Sequence, residues 1–251
     1  MLKRNADTAL TYAASLAMTV TAAAALSLAT TLAPPRSGPN CLTEECVTYP
    51  YTDVAAYLST DYWWMYPAAL LPLALVVALV SLREAVPASR RSALWLATLA
   101  AVAASIVLGV AYAVQLMVVQ PSLAKGEAEA LVLWSQYNPH GLFIALENVG
   151  YFFACLGLLA MAWLFPGSGA RDKALRWWCR TCGAIGILGL PVLAMVLRFD
   201  MEYHYEVLSL LSAWVGLLVL GPLLMVRHAA LRASASSPTA AESRRTPALV
   251  E

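Results

Sequence analysis

The chain has 251 residues, of which 61% are apolar and 12% are charged, and it contains 13 Gly, 14 Pro and 5 Cys. Soluble proteins average about 45–50% apolar and about 25% charged residues, so this composition excludes an ordinary soluble domain, a disordered chain, a collagen and a disulfide scaffold. The formal net charge of +1 argues against a nucleic-acid partner, because phosphate binding needs a basic surplus. The composition therefore predicts that the lipid bilayer is the main partner.

Six stretches are apolar and long enough to cross a bilayer, which takes a helix of about 20 residues. They are residues 9–33, 62–82, 93–119, 140–165, 178–198 and 206–226. The first has an apolar run longer than the about 7–15 residues of a signal-peptide core, which favours a retained anchor. Backbone groups in lipid must hydrogen-bond internally, and these stretches are too long for barrel strands. We therefore expect an all-α bundle of six transmembrane helices over residues 1–232 and a disordered cytoplasmic tail over 233–251.

The positive charges predict the orientation of the bundle. If the N-terminus is cytoplasmic, all but Arg36, Lys125 and Arg198 of the 16 Lys and Arg residues lie at the cytoplasmic side. Cytoplasmic segments are enriched in these residues, so both termini are expected in the cytoplasm. Arg outnumbers Lys and Ala is abundant, which is typical of GC-rich bacteria, and we expect a multi-pass protein of a bacterial cytoplasmic (inner) membrane.

Two outer loops are long enough to have structure of their own. The loop over residues 34–61 contains Cys41 and Cys46, and on the oxidising side of the membrane this pair is expected to form a disulfide. The loop over 120–138 is predicted to include an interfacial helix from Leu123 to Gln136, with apolar side chains facing the lipid surface. Either loop could serve as a lid over a chamber or as a docking surface for a protein partner.

A second cysteine pair raises the possibility of redox chemistry. The spacing Cys179-Arg-Thr-Cys182 is that of thiol redox centres. Together with Cys41 and Cys46, it resembles the spacing in membrane disulfide oxidoreductases of the vitamin K epoxide reductase and DsbB families, which implies electron exchange between two pairs. The predicted topology places Cys179 about a full bilayer from Cys41, and exchange needs contact between sulfurs, so this function is disfavoured.

Ionisable and amide side chains concentrate at the outer ends of the predicted spans. Asn138 can cap the fourth span and Pro139 suits its first position, so that His140 lies in the first turn and Glu147 two turns deeper on the same face. The other candidate ligand-binding residues at this side are Gln115, Asn148, Arg198, Asp200, His204 and Glu206. Charged groups in lipid must face a partner or water, so this pattern predicts an outward-facing polar cavity around Glu147.

Three functions are compatible with this pattern. The first is non-enzymatic binding of a small polar solute or a protein partner on the outer face, with no cofactor. The second is a zinc hydrolase acting on a lipid-like substrate, with His140, Glu147 and His204 as ligands and Asp200 or Glu206 as substitutes. The third is purely structural: Glu147 pairs with Arg198 and locks two helices together. Because the sequence has only three His residues and lacks the usual hydrolase motifs, binding is favoured over catalysis.

Two further patterns concern architecture. Gly183, Gly186 and Gly189 recur every third residue, which predicts a face on which another helix packs closely. Four segments resemble an uncharacterised group of bacterial six-span membrane proteins with no assigned activity. They are the residues at 46–53, 64–67, 136–141 and 145–147. The resemblance implies the six-span architecture and no particular function.

Overall fold

The computed structural model describes residues 2–41, 46–54, 57–198 and 200–236, and within these ranges the regular structure is entirely helical. The α-helices are α1 (Leu2–Leu32), α2 (Met65–Ser81), α3 (Arg91–Val114), the short α4 (Gln120–Ala124), α5 (Leu142–Met161), α6 (Ala170–Leu197) and α7 (His204–Ser236). A 3₁₀ turn over Ser59–Tyr62 precedes α2. A π-helical turn over Gln115–Val119 joins α3 to α4, so that the two form one continuous rod.

Six helical segments of the described residues have the length and apolar composition needed to span a membrane. They are Thr8–Leu32, Ser59–Ser81, Ala88–Ala124, Leu142–Leu164, Ala170–Leu197 and His204–Arg232. The six predicted spans are therefore confirmed as helices. The predicted tail begins inside α7, which continues to Ser236, and residues 237–251 lie outside the described ranges.

The long helices form a closed ring in chain order. α1 packs against α2, α2 against α3, α3 against α5, α5 against α6, α6 against α7, and α7 returns to α1. α5 also packs directly against α7, so α6 lies at the periphery of the bundle and the centre is enclosed by the remaining long helices. Side chains of α2, α3, α5 and α7 meet there in one apolar and aromatic core.

The glycine face of α6 is where this helix approaches its neighbours. A Cβ atom added to Gly183 would lie 2.6 Å from the backbone nitrogen of Leu159 and 2.7 Å from the carbonyl oxygen of Cys155, both on α5. Gly186 faces the Cys155 side chain, and Gly189 faces Leu208 of α7. The predicted close-packing face is therefore confirmed, and it is shared between α5 and α7.

The loop between α4 and α5 differs from the prediction. Residues 125–141 form successive turns, and the interfacial helix predicted over Leu123–Gln136 is not present. Carbonyl oxygens of this segment accept tertiary hydrogen bonds: Leu133 O accepts from the backbone of Leu142, and Trp134 O accepts from the Gln115 side chain. These tertiary hydrogen bonds pair backbone polar groups of the loop without a helix, and they hold the loop against the bundle.

The start of α5 also differs from the prediction. Asn138 does not cap the helix; its side chain donates to the carbonyl of Val132 and accepts from the backbone nitrogen of His140. The helix begins at Leu142, after Gly141 in an extended conformation. The Asn138 side chain thus closes a turn ahead of the helix, which leaves His140 outside it.

Candidate binding pocket

A cavity of about 220 Å³ opens between α1, α2 and α7, at the end of the bundle where α6 joins α7. Its lining includes residues of the loop after α1, of the segment leading into α2 and of the first turns of α7. The polar and aromatic lining residues are Arg36, Ser37, Asp61, Trp64, Gln136, Tyr137, Tyr203, Glu206 and Trp214. We call this cavity the pocket. It is smaller than the roughly 300–1,000 Å³ of sites for drug-sized ligands, so it suits a small solute.

One wall of the pocket is built around a partly buried ion pair. The Arg36 guanidinium donates to the Asp61 carboxylate at 3.0 Å, and the Asp61 side chain is only 2% exposed. The Tyr137 hydroxyl donates to the same carboxylate oxygen, while its ring lies 5.8 Å from the Arg36 guanidinium carbon. The loop after α1 and the loop before α5 are therefore held together at Asp61.

The protonation states of this wall follow from its contacts. Burial opposes the charge on Arg36, but hydrogen bonding to Asp61 and the negative charge there outweigh it and raise the pKa of Arg36. Burial, together with the neighbouring Tyr62 and Asp61, raises the pKa of Tyr137, which stays a neutral hydrogen-bond donor. Arg36 is therefore a permanent cation.

The loop after α1 is fixed against the start of α7. The Ser37 hydroxyl lies 2.7 Å from the hydroxyl of Tyr203, which donates to the carbonyl of Gln136. Burial raises the pKa of Tyr203. Gly38 has a φ of +66°, and a Cβ atom there would lie 2.7 Å from the Tyr203 ring. The loop can therefore approach Tyr203 this closely only with glycine at position 38.

The floor of the pocket holds two acidic side chains. Glu206, in the first turn of α7, lines the pocket, and Glu147 of α5 lies behind it with no exposed surface. Their carboxyl groups lie close enough to interact electrostatically. Two like charges this close together in a buried site disfavour ionisation of both carboxyls at once. We call this pair the carboxyl pair.

A chain of donors from three helices leads to the carboxyl pair. Trp214 Nε1 donates to the Tyr151 hydroxyl at 2.9 Å, and the hydroxyls of Tyr151 and Tyr112 lie 2.5 Å apart. The Tyr112 hydroxyl donates to Glu147 Oε1 at 2.8 Å. All three side chains are buried, and every donor in the chain points toward Glu147, so the chain stabilises negative charge on that carboxyl.

Three buried polar atoms at the pocket have no conventional hydrogen-bond partner. Asp61 Oδ1 and Gln136 Nε2 belong to lining residues, and Glu147 Oε2 belongs to the carboxyl pair. Unpaired buried polar atoms are costly, so a solute or water in the pocket would gain hydrogen bonds at Asp61 and Gln136.

The side walls are aromatic and fixed in position. The rings of Trp64 and Trp214 lie 5.6 Å apart, and Trp64 also meets the ring of Tyr112 edge-on at 5.6 Å. The indole of Trp214 is held further by its hydrogen bond to Tyr151. Because these rings pack against one another across α2, α3 and α7, the pocket is bounded by side chains with little freedom to move.

The structure brings together some of the predicted site residues. Glu147 and Glu206 form the carboxyl pair. Gln115 is buried and donates to the carbonyl of Trp134 at 2.5 Å, so it secures the loop above the bundle. Asn148 lies next to Glu147 in the chain, and its Oδ1 is buried without a partner.

The other predicted residues lie at the surface. Arg198 is exposed beyond α6 and takes no part in the interactions of Glu147, so the proposed lock between these two side chains is not formed. The His140 ring lies 3.7 Å from the Asp200 carboxylate, and both side chains are mostly exposed. His204 is exposed, and its Nδ1 lies 3.1 Å from the carbonyl of Met201.

The zinc hypothesis required His140, Glu147 and His204 around one ion. The structure places Glu147 in the buried carboxyl pair and His140 on the surface. Ligand atoms that do converge belong to His140, Asp200 and Glu202, and they lie within 4.8 Å of one another. That group is open to solvent and is separate from the pocket residues.

The cysteines are arranged as the topology predicted. Cys41 and Cys46 are joined by a disulfide, whose Cα atoms are 6.0 Å apart. Cys179 and Cys182 are free and buried within α6. Cys179 lies 18 residues before the end of α6, about 27 Å along the helix axis, so contact between the two pairs would need a large rearrangement.

Sequence reasoning did not identify several pocket residues. Arg36 was noted only as a cation on the outer side, and neither Asp61 nor Trp64 was predicted as a site residue. Tyr137 and Trp214 were not singled out for a site. The available signal was an Asp directly before an aromatic run, since an acid at the edge of lipid needs a cation or a donor close by.

No known protein-family model, curated protein or solved structure matches this chain.

Proposed function

We propose that this is a multi-pass protein of a bacterial cytoplasmic membrane that binds a small polar solute in the pocket, without catalysing a reaction. The observation that carries the proposal is the pocket itself, which combines about 220 Å³ of space with the partly buried Arg36–Asp61 ion pair and an unpartnered Asp61 oxygen. Concave sites with a few convergent polar groups on a rigid wall are typical of ligand binding.

The proposed orientation places the pocket on the outer face. The disulfide and the Arg36 loop lie at the pocket end, and most cationic residues of the described part of the chain lie at the opposite end. There Arg227 pairs with Asp172 at 2.7 Å, and Arg90 donates to the carbonyl of Trp163. Clusters of Arg at one end and an oxidised cysteine pair at the other both favour the cytoplasmic assignment for the Arg227 end.

Cysteine accessibility tests the orientation. In right-side-out vesicles, a membrane-impermeant maleimide should label Ala33→Cys, in the pocket, and Thr48→Cys, exposed on the outer loop. Ser168→Cys, exposed in the loop between α5 and α6, should react only after the membrane is made permeable. The free native cysteines are buried, so the parent protein supplies the background. Labelling of Ser168→Cys alone in intact vesicles would reverse the proposed orientation.

The same variants test binding. A panel of small amines, carboxylates, alcohols and sugars is added before the maleimide, and the labelling rates at positions 33 and 48 are compared. We expect at least one class of solute to slow the reaction of Ala33→Cys and to leave Thr48→Cys unchanged, because only Ala33 lines the pocket. If every class leaves the ratio of the two rates unchanged, the pocket does not bind a small solute.

A further inference from the structure

Two exposed tryptophans lie at the end of the bundle opposite the pocket. Trp163 is the last residue but one of the Leu142–Leu164 span and is 55% exposed. Trp177 of α6 is 64% exposed, whereas its neighbour Trp178 is half-buried and donates from Nε1 to the carbonyl of Gly216 on α7. Indoles at the ends of apolar spans are typical of the level at which acyl chains meet headgroups. Trp163 and Trp177 are therefore placed where both parts of a lipid are within reach.

The Arg180 guanidinium lies over both of these rings. Its Cζ atom is 5.5 Å from the centroid of the Trp163 ring and 5.8 Å from that of Trp177. Arg180 follows Trp177 by three residues on α6, so the two side chains share a face of that helix. Trp163 reaches the same place from the 3₁₀ turn (Ala162–Leu164) that follows α5. Contact with two indoles stabilises the cation and limits its movement.

Two further arginines hold the turn that carries Trp163. Arg90, directly before α3, donates to the carbonyl oxygen of Trp163 at 2.7 Å. Arg176, one turn before Arg180 on α6, donates to the carbonyl oxygen of Phe165 at 3.2 Å. The turn is thereby bound to α3 on one side and to α6 on the other. The fold thus fixes the position of Trp163 beside Arg180, and it brings a second guanidinium to the same tryptophan.

The protein leaves the charge and the donors of Arg180 unsatisfied. Within the described residues, Arg180 has its two indole contacts but no ion pair and no hydrogen bond. Asp172, the one carboxylate of α6, pairs with Arg227 at 2.7 Å and accepts from the backbone of Gly167. An indole offers no lone pair to the five N–H donors of a guanidinium. Arg180 is therefore suited to an anion that presents several oxygens.

The surroundings add to the positive potential at this end of the bundle. Arg91 begins α3 next to Arg90, and Arg171 and Lys173 lie in the first turn of α6. All three are exposed, and none of them forms an ion pair within the described part of the chain. Exposed cations of this kind attract anionic lipid over about a Debye length. They concentrate the lipid at the surface, while Arg180 supplies a directed contact.

We infer that Arg180 binds the phosphate of an anionic phospholipid, with Trp163 and Trp177 against the glycerol and acyl part of the same molecule. The fork of a guanidinium donates two parallel hydrogen bonds to phosphate oxygens. Basic sites between helices at the membrane boundary are typical of anionic headgroup binding. A free phosphate ion shares this chemistry, but the exposed indoles offer apolar surface that a lipid can cover and an inorganic ion cannot.

This lipid site is independent of the pocket. The residues that form it belong to the ends of α5 and α6 that lie away from the pocket lining. In the proposed orientation the bound lipid belongs to the inner leaflet. A failure of solute binding in the pocket leaves the lipid site untouched, and a failure of lipid binding leaves the pocket untouched.

Native mass spectrometry of the purified protein in detergent measures the binding of single lipids. Three probes have the same acyl chains: phosphatidylglycerol is anionic, phosphatidylcholine has a phosphate but no net charge, and diacylglycerol has no phosphate. We expect the first phosphatidylglycerol to bind at least about tenfold more tightly than diacylglycerol, because a hydrogen bond to a charged group contributes about that much, and phosphatidylcholine to lie between them. Equal binding of all three would overturn the inference, and phosphatidylcholine bound as tightly as phosphatidylglycerol would overturn the preference for an anionic lipid.

Arg180→Gln and Arg83→Gln form a matched pair of variants. Each removes one cation from the same end of the bundle, but Arg83 is exposed just after α2 and takes part in neither indole contact. The preference for phosphatidylglycerol over diacylglycerol should fall about tenfold in Arg180→Gln and change less than about twofold in Arg83→Gln. Equal losses in the two variants would indicate general charge attraction and overturn a site at Arg180. An unchanged preference in both would overturn it as well.

A third variant tests the indoles and keeps the arginine. Trp177 is 64% exposed, so Trp177→Leu should fold even if Arg180→Gln does not, and thermal melting checks both. Loss of one ring contact should weaken phosphatidylglycerol binding about two- to fivefold, and unchanged binding would refute the role of the rings.

Inorganic phosphate separates the two sources of the anion. An excess of about a hundredfold over the lipid should leave phosphatidylglycerol bound, because the ion cannot replace the contacts of the acyl part with the exposed rings. Displacement of the lipid by phosphate alone would assign Arg180 to a free anion and overturn the lipid site.

Discussion

Replacement of Arg36 by Met tests whether the pocket wall depends on its ion pair. The change removes the guanidinium that lies 3.0 Å from Asp61 and leaves a carboxylate that is 2% exposed, with Tyr137 as its remaining donor. At about 4 Å between charge centres and an effective dielectric constant of about 20, the lost attraction is about 4 kcal/mol. Breaking a buried pair costs about 3–5 kcal/mol, and because Asp61 lines the pocket, which water can enter, we expect about 3 kcal/mol.

The assay is thermal unfolding of the protein in detergent. A loss of about 3 kcal/mol lowers the melting temperature by about 6–12 °C in a chain of this size. In the double variant Arg36→Met with Asp61→Leu, no charge remains to be buried, so most of the loss should be recovered. Arg171→Met, an exposed position at the other end of the bundle, is the control. The ion-pair argument would be refuted if Arg36→Met shifted the melting temperature no more than the control does. It would also be refuted if the double variant lost as much stability as the two single variants together.

Three other outcomes are expected. Gly183→Ala should lower the stability by about 1–3 kcal/mol in the same assay, because the added methyl group meets the α5 backbone at Leu159. An unchanged melting temperature would contradict close packing of α6 on α5 at this position. The free energy of unfolding should fall as the pH rises above about 10, since the pKa of Tyr137 is raised in the folded state. Tyr137→Phe should make this fall shallower, and parallel curves of stability against pH for the two proteins would contradict the prediction. Arg227→Met should cost about 1–3 kcal/mol by unpairing the partly buried Asp172, which the melting temperature reports.

The sequence was sufficient to predict the features that depend on local composition. Length and apolar content predicted the six helices, because a span in lipid has few alternatives. The spacing of Cys41 and Cys46 predicted their disulfide, and the period of three predicted the packing face around Gly183. Each of these follows from a stretch of chain whose environment can be inferred without knowledge of its neighbours.

Features that depend on contacts between distant segments were not predictable in this way. A cation in an outer loop contributes to topology, and nothing local indicates that Arg36 pairs with Asp61 of the turn before α2. The apolar residues after α4 indicated a helix on the lipid surface, but Leu131 is buried and the turns there are held by tertiary hydrogen bonds. A pair between Glu147 and Arg198 on an adjacent helix was one alternative, whereas the ring of helices brings Glu147 close to Glu206.

The closure of the ring by α1 and α7 has a consequence for biogenesis. The pocket needs the loop after α1 and the first turns of α7, which lie about 170 residues apart in the chain. During synthesis α5 enters the membrane before α7. Glu147 is then part of an incomplete bundle, in which Tyr112 is already available as a hydrogen-bond donor. Glu147 meets Glu206 only after α7 has been inserted. A chain that stalls before that point carries a polar side chain whose surroundings are incomplete.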